Sequence, residues 1–427
     1  LPRENFLRQR HTELVEFLAA NGCAVSDPMR DLRTDPDGWF GVRRYDEVAA
    51  CVRTLQADGA ECMILCSHFW TPPMLVIDVV REANLPTMLY TVDDPALPGV
   101  VSISAVGASL HESGINQHAL QHERLRGAPE RMLPWIRGAS AVARMRKSAV
   151  MMWGGTYSLH MEHLQDDIPA LKRLIIRDIL NEDEYALIRR AEQILANEPA
   201  RVQHFLDWLK ENGATIIYDD LSASPRNFQV QIAYYLAARD RLKELASENI
   251  IGVSVRCQPT LSVEYGIVGC TLPAFLPFGA DDLGPKPIFS TVCEGDIKGL
   301  MTSVLPQQTK PEVGPIFGHL KYVGADLFTI PNCGAASIWW AGKSNDPKQT
   351  LPNITIQANV DGFTGAAVGF MGKAGQVTTA RLGRIKGKYV MHLGVGESVA
   401  GTGAVREKGM GFFGQMGPNV MIGVGTE

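Results

Sequence analysis

Apolar positions recur along this chain at helical and strand spacings by turns. Residues 8–22, R-Q-R-H-T-E-L-V-E-F-L-A-A-N-G, have the spacing of an amphipathic helix closed by Gly22. A-E-C-M-I-L-C-S-H-F-W then reads as an apolar strand, M-L-V-I-D-V-V-R-E-A as a helix and L-P-T-M-L-Y-T-V as a second strand. That rhythm belongs to βαβ units on a parallel sheet. A second block begins near residue 131, where G-A-S-A-V-A-R-M-R-K-S-A-V-M-M-W-G-G carries a helix into a strand ending at Gly154-Gly155. Two glycines there permit close backbone approach. Helical runs fill 183–211 and 224–247 with the strand A-T-I-I-Y between them, and the strands I-I-G-V-S-V-R and P-I-F-S-T-V-C follow.

From about residue 306 the pattern changes to short alternating segments rich in glycine: L-P-N-I-T-I-Q-A-N, G-Q-V-T-T-A-R-L-G-R-I, G-K-Y-V-M-H-L-G-V-G-E and N-V-M-I-G-V-G. These predict β structure. The expected class is α/β: two parallel-sheet α/β domains over 1–130 and 131–305, then a β-rich, barrel-like domain over 306–427. A chain of 427 residues fits two or three domains at roughly 100–200 residues each.

Composition narrows the function classes. Hydrophobic content of 45% with 20% charged residues describes a globular chain rather than a disordered one, and no apolar run reaches the ~18 residues of a membrane span. The net charge of −5 offers no basic surface, so nucleic acid and anionic membranes are not expected partners. The eight cysteines lie mostly in apolar runs without C-x-x-C pairs, as reduced thiols of a cytoplasmic protein do. Leu1 stands where an initiator Met would, so further N-terminal sequence is expected.

Candidate chemistry concentrates in S-T-V-C-E-G-D-I-K-G-L, residues 290–300, where a buried strand hands over to a helix. Ligands in open α/β sheets gather beyond the carboxyl ends of strands, and Glu294 and Asp296 are expected there. Two such carboxylates call for a compensating cation or donors, and a divalent metal is one compensator. The plainer alternative is a capped helix start with acids in its first turn. After residue 204 only His319 and His392 remain as imidazoles. His319 follows Phe317-Gly318 at a strand end, whereas His392 lies inside an apolar strand. H-A-L-Q-H (His118, His122) and H-M-E-H (His160, His163) lack the Glu of a zinc-protease helix. There is no G-x-S-x-G elbow and no Walker loop, and no G-x-G-x-x-G sits in a dinucleotide-binding βαβ context.

Taken in order, several segments resemble the L-fucose isomerase and L-arabinose isomerase family. They are Arg3-Glu4, the strand ending at Trp70, G-A-S-L-H-E-S-G-I, Gly154-Gly155 with T-Y-S, R-C-Q-P at 256–259, C-E-G-D at 293–296, F-G-H, and P-N-C-G-A-A at 331–336. The resemblance implies a metal-dependent aldose–ketose isomerase, usually with Mn²⁺, two α/β domains and a β-rich C-terminal domain. It also implies a sugar-like substrate and a homo-oligomer, a hexamer or trimer. Glu294 matches a residue that is both metal ligand and proton carrier. Gln258, Asn332 and Trp70 match substrate-contacting contexts, and Arg3 could approach the same pocket.

The chain departs from the family at other positions. The second ligand, an Asp, falls at His319, which makes Glu294, His319 and Asp296 the expected ligand set and Glu294 with His319 the catalytic pair, with His392 in reserve. The third ligand, a His after G-x-N, is displaced: M-G-P-N-V-M-I-G offers Asn419, a substrate-binding candidate, and then Val420. A G-Y becomes Gly362-Phe363, and the chain ends at Glu427, before its relatives do. Three readings follow: an isomerase acting through an enediol, a lyase or epimerase on the same scaffold, or a sugar-binding relative without turnover.

Overall fold

The computed structural model describes residues 2–35, 38–115, 124–156, 160–320, 322–323, 327–359, 363–399 and 419–423. His118, His122 and Gly362, together with the T-Y-S pair Tyr157-Ser158, lie outside them. The chain divides into two compact units, Leu1–Arg144 and Met145–Glu427.

In the first unit β1 (Met63–Cys66), β2 (Thr87–Thr91) and β3 (Arg124–Arg126) form a parallel sheet in that order. Helical spacing decides what covers it. Val48, Cys51, Val52 and Leu55 of the helix Tyr45–Ala57 are all buried, as are Leu75, Val76, Val79 and Val80 of Pro73–Ala83. Both stripes follow the three-and-four spacing of one helix face, and they meet Ile103, Val106 and Leu110 of Gly99–Glu112 in one cluster. On another cluster Leu14 and Leu18 of the helix Pro2–Ala20 pack with Met88, Tyr90 and Met132.

The second unit is built on β4 (Ala149–Trp153), β5 (Asp178–Glu182), β6 (Thr215–Ile216), β7 (Ile250–Val255), the short antiparallel pair β8 (Ala280–Asp281) and β9 (Gly284–Pro285), and β10 (Ser290–Cys293). Four of them make a parallel sheet in the order β10-β7-β4-β5. β4 and β10 are buried at every position, as expected of parallel strands covered on both faces. The helical run over 183–211 is two helices, Glu184–Asn197 and Pro199–Glu211, because Pro199 cannot continue the first. The A-T-I-I-Y strand, β6, joins a separate sheet with β13 (Thr355–Ala358) and β14 (Ala366–Gly369).

The remaining strands are β11 (Tyr322–Val323), β12 (Leu327–Pro331), β15 (Gly375–Ile385), β16 (Lys388–Ser398) and β17 (Asn419–Gly423). They form a five-stranded antiparallel sheet in the order β11-β12-β17-β16-β15. β15 fastens this sheet to the parallel one. Its Leu382 enters the cluster of Val292, Ile297, Leu300 and Met301, and its backbone N–H donates to the Thr302 hydroxyl at 2.8 Å. Beneath the hairpin the fully buried Asp166 carboxylate accepts from Arg384 at 2.9 Å and from the Tyr389 hydroxyl at 3.2 Å. Among the described residues no helix is long and apolar enough to cross a membrane.

Candidate functional site

The four parallel strands end on one edge of their sheet, and the turns that follow them carry the chemistry-bearing side chains. β10 ends at Cys293 and runs into Glu294, β7 runs into Arg256, Cys257 and Gln258, β4 into Gly154-Gly155, and β5 into Asp183 and Glu184. Backbone bonds tie these ends together: Gly154 N donates to Glu182 O at 2.8 Å and Arg256 N to Trp153 O at 3.0 Å.

Cys293, Glu294 and His319 converge there, with one ligand atom from each lying within 4.8 Å of the others. Consecutive residues of a strand face opposite ways, so Cys293 and Glu294 would part in a regular strand. Glu294 at φ +70° and Gly295 at φ +65° turn the chain left-handed and bring both side chains to one place. His319 arrives from the loop before β11, held by its N–H to Pro331 O at 2.7 Å and by a T-shaped contact with Phe317. Its Nε2 lies 3.9 Å from Glu294 Oε1.

Asp296, named with these residues as a ligand, is engaged elsewhere. Its Oδ1 accepts the Gly299 N–H at 2.7 Å as the cap of the helix Ile297–Thr309, and the carboxylate pairs through both oxygens with the Arg381 guanidinium. Cys293 stands in the cluster where Asp296 was expected.

Asn332 is buried beneath the cluster. Its Nδ2 donates to Phe317 O at 3.3 Å and toward Cys293 Sγ at 3.6 Å, while its Oδ1 accepts from Gly334 N at 3.3 Å. Burial raises the Cys293 thiol well above its usual range, with Cys333 and Glu294 adding to the rise. Cys257 is pushed up to about 12, chiefly by burial, and it feels the charges of Cys333, Glu184 and Glu294.

Glu184 is a second carboxyl on this edge. It follows the cap Asp183, whose Oδ1 accepts Tyr185 N at 2.8 Å, and its side chain lies against Gly154. A Cβ on Gly154 would fall 2.7 Å from Glu184 Cδ, so that position has no room for a side chain. Glu184 is fully buried, and neither oxygen makes a hydrogen bond of ordinary geometry among the described residues. The Thr260 hydroxyl and the Arg256 backbone and charge are near enough only to temper the effect of burial, which pushes its carboxyl up to about 8. Tyr234 Oη and Arg256 Nε are likewise buried without partners among the described residues.

Residues 41–147 match the family model described as L-fucose isomerase, first N-terminal domain. The match supports an L-fucose isomerase-like family, and with it an isomerase-type function in carbohydrate metabolism. No curated protein matches the chain. The isomerase-like segment contains Trp70, whose side chain is 53% exposed in the first unit. Arg3 lies over the Phe69 ring at 4.4 Å. Its neighbour Glu4 is structural: its carboxylate accepts from Phe40 N at 2.8 Å, Gly41 N at 3.2 Å and Arg43 Nη2 at 2.9 Å. Burial works against that charge, but these donors outweigh it and hold the carboxyl below its ordinary range.

Beyond that segment, Gln258 Oε1 accepts from the Ser262 hydroxyl at 2.8 Å. Asn419 begins β17 in register with Pro331, which sets its backbone beside the residue preceding Asn332. His392 stands on β16 opposite Arg381, is exposed, and is no member of the Cys293 cluster. Cys293 and Glu184 are the residues that sequence reasoning passed over. Cys293 was marked by closing the apolar strand in V-C-E-G-D, and Glu184 only by following a strand, in N-E-D-E-Y, at the start of a helix.

Proposed function

We propose that this chain is a metal-dependent enzyme of aldose–ketose isomerisation, with Glu294 as the proton carrier. The observation that supports the reading is the gathering of Glu294, His319 and Cys293 on the carboxyl edge of a parallel sheet, in a chain whose first unit is isomerase-like. A carboxylate, an imidazole and a thiol within 4.8 Å of one another form a donor set that fits a divalent ion. Those three side chains would hold it. When bound, such an ion polarises the carbonyl and adjacent hydroxyl of a sugar.

The chain's own groups supply the rest. Glu294 takes the proton from the carbon next to the carbonyl and returns it to the carbonyl carbon, interconverting aldose and ketose through an enediol. His319 Nε2, 3.9 Å away, is close enough to share one ion with that carboxylate. Asn332 is spent within the protein and keeps Phe317 and Cys293 in place.

The test is incubation of the metal-loaded protein with a panel of aldoses in D₂O. Deuterium at C1 or C2 that disappears in Glu294→Gln is the expected result. Epimerisation or elimination starts with the same proton removal, so product analysis separates those chemistries. An absence of exchange with every sugar tested would count against the isomerase.

A further inference from the structure

We propose that the metal site of this chain is a thiolate site, in which Cys293 Sγ joins Glu294 and His319 as a ligand and selects a borderline-soft divalent ion, Zn²⁺ or Co²⁺, over Mn²⁺. The proposal rests on the reading of Glu294 as a metal ligand and goes beyond it to the identity of the ion. Three observations carry it.

The first is geometric. The left-handed turn at Glu294 and Gly295 puts the thiol and the carboxylate of adjacent residues on the same side, within 4.8 Å of the His319 imidazole. The second is that the carboxylate two residues on is committed: Asp296 caps a helix and pairs with Arg381, and the third donor of the cluster is sulfur rather than oxygen. Oxygen-rich sets suit Mn²⁺, whereas thiolate with imidazole suits Zn²⁺ and its neighbours.

The third is the support around the sulfur. Asn332 Nδ2 is directed at Cys293 Sγ at 3.6 Å, and that amide is fixed by Phe317 O and Gly334 N. Outer amide donors of this kind orient a ligand and tune its basicity. Cys293 is only 5% exposed, so the sulfur is shielded from bulk oxidants. Binding replaces the thiol proton, which leaves to solvent, by the ion.

The experiment loads metal-free protein with Co²⁺ and records the near-ultraviolet absorbance. A sulfur-to-cobalt charge-transfer band is expected, abolished by stoichiometric Zn²⁺ and resistant to a large excess of Mn²⁺. The band should vanish in Cys293→Ser and persist in Cys333→Ser, which removes the neighbouring thiol instead. Should Cys293→Ser fail to fold, the wild-type band and its Zn²⁺ and Mn²⁺ competition still decide. Bound Co²⁺ without the band, a band that survives in folded Cys293→Ser, or displacement by equimolar Mn²⁺ overturns the thiolate site and leaves Glu294 as a metal ligand standing. No binding of Co²⁺, Zn²⁺ or Mn²⁺ overturns both.

Discussion

Replacing Glu184 with Gln should remove a pH dependence that the fold itself creates. In the folded chain burial pushes this carboxyl from its ordinary 4.5 to about 8. Between those values the folded protein keeps a proton that the unfolded chain has released. Stability is then fully present below the lower value and is lost as pH rises toward the upper one. Each pH unit is worth ~1.4 kcal/mol, which bounds the whole loss at about 5 kcal/mol. Relaxation around the ionised group reduces the loss expected between pH 5 and pH 8 to about 2–4 kcal/mol. Gln is nearly isosteric and uncharged throughout. Thermal unfolding of wild type and Glu184→Gln, followed by near-ultraviolet circular dichroism from pH 5 to pH 8.5, should give midpoints that coincide at the acid end. They should diverge in favour of the variant by about 4–8 °C at pH 8, at roughly 2 °C per kcal/mol for a unit of this size. A difference between the two proteins that stays constant across the series would refute the reasoning.

Two further outcomes follow from packing and capping. Asp296→Asn keeps a cap oxygen but loses the charge that faces Arg381, itself partly exposed, so the second unit should lose about 1–3 kcal/mol in urea titrations with its Co²⁺ affinity unchanged. A loss of affinity comparable to that of Glu294→Gln would return Asp296 to the ligand set. Gly99→Ala would place a Cβ 1.9 Å from Thr91 Oγ1 and 3.2 Å from the His68 carbonyl, and should lower the stability of the first unit by about 1–3 kcal/mol. An unaltered melting midpoint would show that Gly99 has space that the packing denies.

The α/β class was legible because the apolar runs at Met63–Cys66, Thr87–Thr91, Ala149–Trp153 and Ile250–Val255 are strands of parallel sheets, the last three of them almost wholly buried, and periodicity reports burial directly. What periodicity cannot report is partnership. A-T-I-I-Y read as a strand, yet nothing local says that Thr215 and Ile216 pair with Thr355 and Ile356. The site divides in the same way. Glu294 was found from its place at a strand end, and His319 from an expected strand end that is a loop in the structure, but the exchange of Asp296 for Cys293 turns on one backbone angle. Alternation predicts that neighbours diverge, and the positive φ at Glu294 reverses that prediction. Glu184 was hidden for another reason: its sequence position suits an ordinary first helical turn, and only its packing against Gly154 shows that it is buried.

The left-handed residue at 294 also sets stability against activity. An L side chain in that conformation costs about 1–2 kcal/mol relative to glycine, so the fold alone would favour Gly at this position. Directed evolution for thermostability, run without a functional screen, would therefore drift toward Glu294→Gly and discard the carboxylate while improving the melt. The strain is the cost of placing two consecutive residues in one cluster, and only a requirement for what that cluster does would keep it there.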